Sequence, residues 1–115
     1  MKEIHDLMAE MSADGCDSDE LPNGHGEFGH DASNPIPTHT VEGSIVYLSK
    51  LRALDNTKVH YERRGSHITE VSPHPVDIYE ISHANGTKLA TLYLSPYQKK
   101  ISERAPRNFM LGKMN

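Results

Sequence analysis

Gly24 to Thr40 reads GHGEFGHDASNPIPTHT, three histidines and two carboxylates set among glycines and prolines. Imidazole and carboxylate are zinc ligands, and a zinc site usually draws a pair of them from closely spaced positions. The donors that could converge are His25, Glu27, His30 and His39. Four residues separate His25 from His30, and eight separate His30 from His39. No second pair of comparable spacing and no Cys-x-x-Cys is present, so a metal would itself have to order the glycine-rich backbone. The segment therefore reads as a solvated linker that contains histidines. No cofactor is expected, zinc being the ion these donors would hold.

Nucleophilic chemistry finds no setting. Cys16 is the single cysteine and lies among acids, the opposite of the electropositive surroundings that activate a thiol. There is no Gly-x-Ser-x-Gly elbow and no glycine-rich phosphate loop ending in Lys-Ser/Thr. GHGEFG has the glycine spacing of a dinucleotide-binding turn, yet no strand precedes it, and His and Glu stand where a phosphate would approach. His60 and His83 lie in or beside predicted strands that also carry Glu62 and Glu80, a set that could act as acid and base only if it shared one sheet face. Strand histidines are more often ordinary polar residues of an exposed face. Catalysis is not expected.

Cations gather in two places. Arg63 and Arg64 end a predicted strand, while Lys99, Lys100, Arg104 and Arg107 populate the C-terminal stretch beside Tyr97. Cations next to an aromatic ring can hold phosphates and stack bases, which makes nucleic-acid binding the alternative function. Against it, the whole chain has a net charge of −4 and lacks the aromatic signatures of RNA-binding folds. The same cations would keep an edge strand from pairing with neighbours.

The mild net charge hides a split. Residues 1–34 hold one lysine against nine acids, and the remainder holds eleven cations against seven acids. An acidic arm beside a mildly basic body confers solubility or screens the body electrostatically. A lone cysteine points to a reducing compartment. The first residues carry acids among their apolar positions and do not resemble a signal peptide. No window approaches the roughly 20 apolar residues of a membrane span, so a soluble cytoplasmic protein is expected.

Three stretches position these residues. Residues 1–12 form a predicted short amphipathic helix, with Ile4, Leu7, Met8 and Met11 on one face. A helix this short is marginal alone and needs a surface to dock on, whether its own core, a second copy or another protein. Residues 13–39 have few apolar side chains and many Gly, Pro and acids, and read as a flexible, disordered acidic linker.

Residues 40–115 read as a small antiparallel β domain of about four to five strands with a basic C-terminal tail. SIVYLSKLRAL is taken as a strand with Ile45, Tyr47 and Leu51 on one face and Val46, Leu48 and Leu54 on the other. KVHYERRG, VDIYEIS and TKLATLYLS follow. Asn85-Gly86 predicts a type I′ hairpin turn, which aligns Ile81 with Ala90, Tyr79 with Leu92 and Ile78 with Tyr93. Apolar residues on both faces suggest a curled sheet or barrel-like meander. The tail is expected to begin with one helical turn stopped by Pro106, after which Phe109, Met110 and Leu111 fold back onto the sheet.

The expected fold is mainly β, and the expected function is a small protein-binding or regulatory module. Its working surface would be the helix face (Ile4, Leu7, Met8, Met11), a sheet edge, or both. Its partner would be a protein, with self-association an option and a membrane excluded; metal binding through the histidines is the third reading.

Overall fold

The computed structural model describes residues 15–113. The described residues are mostly β, with one short helix among them. In chain order the elements are β1 (Ile36–Pro37), α1 (Thr40–Lys50), β2 (Leu51–Ala53), β3 (His60–His67), β4 (Val76–Ser82), β5 (Lys88–Ser95) and β6 (Phe109–Leu111). The main sheet has the order β1-β5-β4-β3, and β2 pairs with β6 in a second, two-stranded ladder.

The β4–β5 hairpin sits at the centre, and its register is the expected one: Ile78 opposite Tyr93, Tyr79 opposite Leu92, Ile81 opposite Ala90. The turn differs from expectation. Gly86 alone of the Asn-Gly pair has a positive φ, +93°. The His83 carbonyl accepts from Gly86 N at 2.8 Å, and His83 N donates to the Thr87 carbonyl at 2.7 Å. That is a three-residue loop closed by a bulge glycine rather than a type I′ turn. A register shift between Ile81 and Ser82 absorbs the difference.

The stretch SIVYLSKLRAL is not one strand: it is helical as far as Lys50, and only Leu51–Ala53, which form β2, are extended. Ser44, Tyr47, Leu48 and Leu51 are all buried and recur at helical spacing, so Tyr47 and Leu48 share a face that alternation would have separated. Ile45 and Leu54 are exposed instead. Glu42 in the first turn and Lys50 in the last complement the helix dipole. A short apolar run does not distinguish the two periods by itself.

The sheet is mixed, not wholly antiparallel, because β1 runs parallel to β5 with Ile36 opposite Leu94. Nor is it closed into a barrel: β1 and β3 are its two edges. β1 is short, and Pro37 can donate no ladder bond. Its carbonyl accepts instead from Ser102 N at 2.9 Å, which ties the C-terminal stretch to that edge. No helical turn forms after Tyr97, and β6 pairs with β2 while Phe109 enters the core.

The largest departure concerns residues 15–39, read from sequence as a flexible linker. They are folded against the sheet. Phe28 and Ile36 are buried in the same core as Tyr47, Leu48, Tyr79, Ile81, Leu92 and Leu94. The segment closes on itself through His25 N to Ser33 O, Asn34 N to Asp31 O and Gly29 N to Asn34 O, and Tyr93 N on β5 donates to Gly29 O at 2.9 Å. Gly29 has φ +76°, and a Cβ there would come within 2.9 Å of Ile36. Few apolar residues suffice when each is fully buried and the backbone polar groups are paired.

Candidate binding cleft

Where the acidic segment meets the loop between β3 and β4, a cleft of about 350 Å³ opens. One wall is Gly15, Cys16 and Leu21 to Asn23, the other Val71 to His74, and Tyr97 and Gln98 complete the lining. The walls are fixed by bonds between residues far apart in sequence. Cys16 N donates to Gln98 Oε1 at 2.7 Å, and Lys99 N donates to Cys16 O at 2.8 Å. Gly15 lies so close to the Tyr97 backbone that a Cβ would meet Tyr97 O at 2.4 Å. Across the mouth, Asn23 Nδ2 donates to Val71 O at 3.1 Å. Thr69 Oγ1 donates to Ala32 O at 2.7 Å and anchors the far loop to the acidic segment.

Leu21 and Val71 are buried apolar residues of the cleft. The His74 ring, held between Pro73 and Pro75, stacks on Tyr97 with centroids 4.3 Å apart and planes 29° from parallel. Burial pushes the Tyr97 hydroxyl above its ordinary range, with the charge of Asp77 adding to the effect. Gln98 is fully engaged: Nε2 donates to Ser95 Oγ at 3.0 Å, and its carbonyl accepts from His39 Nδ1 at 2.8 Å. Among the described residues no Asp, Glu, Lys or Arg lines the cleft.

Backbone strain lies close by. Thr40, the first residue of α1, has φ +63°, a conformation that costs a β-branched residue about 1–3 kcal/mol. It is held by Thr40 N donating to the carbonyl of Pro96, the residue before Tyr97. Non-glycine residues in this region cluster at functional sites.

The residues singled out from sequence fall elsewhere. Ile4, Leu7, Met8 and Met11 lie outside the described residues. The four metal donors turn to different partners: His25 to Glu70 at 2.8 Å, Glu27 to Arg107 at 3.7 Å, His30 to the Arg107 carbonyl at 3.0 Å and His39 to Gln98 O. Among the described residues no group of three or more His, Cys, Asp or Glu side chains is placed to share an ion. His83 Nε2 donates to Asp55 at 2.7 Å rather than facing Glu80.

The cations are likewise engaged. Arg63 pairs with Asp77 at 3.0 Å, and Arg64 with Glu62 and Glu80 at 3.3 and 3.1 Å. Lys100 pairs with Asp19 at 3.1 Å, while Arg104 pairs with Glu20 and lies over the Phe28 ring. Lys99 is exposed, and Tyr97 faces His74. The acidic segment thus neutralises the basic C-terminal stretch directly.

From the sequence His74 reads only as part of an extended loop between two prolines, and Val71, Asn23 and Gln98 carry no signal. Only the Pro-His-Pro triplet carried a signal, as a rigid extended carrier for an aromatic ring.

Comparison with protein-family models, with curated protein sequences and with solved structures finds no match to this chain. Among the described residues no helix is long and apolar enough to cross a membrane.

Proposed function

We propose that the protein is a non-catalytic binding module that receives an uncharged, apolar side chain of a partner protein in the cleft between residues 15–23 and 71–74. The observation that carries this reading is the cleft's lining. An apolar floor from Leu21 and Val71 meets a neutral polar rim, with no carboxylate, ammonium or guanidinium among the described residues. Its volume falls at the small end of ligand sites, enough for one anchoring group. The strained Thr40 supports the same location.

The β3 edge is a poorer template for strand addition. Arg63, Arg64 and the register shift between Arg63 and Gly65 are features that discourage edge pairing. Nucleic-acid binding has less support, because a phosphate would have to displace the carboxylates already paired with five of the candidate cations.

The test is a titration followed by backbone amide spectra, using N-acetyl-leucinamide, N-acetyl-prolinamide and N-acetyl-tyrosinamide as probes, with N-acetyl-lysinamide as the charged control. Saturable shifts should centre on Cys16, Val71, His74 and Gln98 for at least one neutral probe and vanish in Val71→Lys. Shifts that scatter over the surface, or a preference for the lysine probe, would sink the reading.

A further inference from the structure

The chain contains two Asn-Gly pairs, Asn23-Gly24 at the cleft and Asn85-Gly86 at the hairpin tip. We propose that Asn85 is a site of slow self-modification, whereas the fold protects Asn23. In the reaction the Gly86 amide nitrogen loses its proton to solvent base and attacks the Asn85 side-chain carbonyl carbon. A C–N bond forms, the bond from Cγ to Nδ2 breaks, and ammonia leaves. Water then opens the resulting five-membered imide at either carbonyl, which leaves aspartate or isoaspartate. The net change is asparagine plus water to an acid plus ammonia, with no oxidant or reductant required.

Glycine favours this attack because no side chain crowds the nitrogen's approach, and the structure separates the two pairs by what surrounds them. At Asn85 both residues are exposed, and nothing lies within 4 Å of where a Gly86 Cβ would be. Among the described residues the Asn85 carboxamide is held within its own loop, with Oδ1 accepting from Thr87 N at 2.9 Å. Gly86 N donates to His83 O, so one local opening of the loop frees the attacking nitrogen.

Asn23 is exposed as well, but Gly24 is half-buried and the Asn23 carboxamide donates to Val71 O, on a loop distant in sequence. Gly24 packs on Asn34 so closely that a Cβ would meet Asn34 Oδ1 at 2.5 Å, and Gly24 N donates to Leu21 O at 3.0 Å. Attack there needs the acidic segment and the far loop to part together. Modification of Asn85 places a new carboxylate in the loop where His83 already pairs with Asp55, and isoaspartate adds one main-chain carbon inside the loop.

The experiment incubates the full chain at mildly alkaline pH, native and in urea, and maps peptides for a gain of one mass unit and for isoaspartate. In the native chain Asn85 should convert severalfold faster than Asn23, and in urea the two should converge. Asn23→Ser, which leaves the hairpin unchanged, should not alter the rate at Asn85. Removing the loop's anchor with His83→Ala should raise it. Native conversion of Asn23 at or above the rate of Asn85, or no conversion of Asn85, overturns the proposal.

Discussion

The β4–β5 hairpin and the acidic segment before β1 are both well packed, but they are held by different kinds of interaction. In the hairpin, paired residues lie no more than 17 positions apart, as at Asp77 opposite Leu94, and Tyr79 meets Leu92 by register alone. The acidic segment contributes Phe28 and Ile36 to the same core, yet its longest ties run to positions some 60 to 85 residues away: Tyr93 N to Gly29 O, Ser102 Oγ to Asp19 O, Glu103 N to Asp19 Oδ1. A hairpin repays its loop-closure entropy early, whereas such a segment can order only once the body exists to receive it. Low apolar content is therefore a poor sign of disorder where the few apolar residues find a preformed core.

The largest effect that could break this comparison is truncation on either side of the core. Leu92→Ala in the hairpin is expected to cost about 2–5 kcal/mol and Phe28→Ala in the segment about 3–5 kcal/mol, both read from urea unfolding. If Phe28→Ala costs less than Leu92→Ala by more than about 2 kcal/mol, the segment is an attachment and not part of the cooperative core.

Acid titration sharpens the comparison with a smaller effect. The His83 hydrogen bond, followed by those from Thr57, lowers the Asp55 carboxyl from its ordinary 3.8 to about 2. Asp19 in the segment is lowered too, chiefly by the Glu103 backbone amide and then by Lys100. Folded-state values below the unfolded ones stabilise the fold above the ordinary carboxyl range, and this stability is lost as pH falls from that range through the folded-state values. Asp55→Asn should flatten the acid limb of the melting curve between about pH 4 and about pH 2, and Asp19→Asn should flatten it less. Parallel curves for both variants and the unmodified chain would show that neither pair holds its region.

The smallest expected effect comes from the exposed ion pairs between the segment and the C-terminal stretch. Arg107→Ala should change stability by no more than about 0.5 kcal/mol, because both groups are well exposed and the separation from Glu27 is 3.7 Å. A loss much above about 1 kcal/mol would mean that charge, not burial, seats the segment.

The split of charge between the two ends was legible in the residues, but its use was not. Reading Asp19, Glu20 and Glu27 as acids required only the sequence; learning that they lie against Lys100, Arg104 and Arg107 required the fold. The cleft was illegible for the same reason. Its walls come from residues 15–16, 21–23, 71–74 and 97–98, and no motif spans such distances.

The amino-acid sequence by itself determined the mostly-β character, three of the strands, the pairing register of β4 with β5 and the cation and carboxylate inventories. These depend on alternation, turn residues and composition, all of which act over short separations. Tertiary structure alone decided that Thr40–Lys50 is helical, that β1 runs parallel to β5, that the sheet stays open and that residues 15–39 are folded. Each of those outcomes depends on which distant surface a segment buries. Tyr47 and Leu48 illustrate this: their period is ambiguous along the chain, and only the core behind them selects the helix.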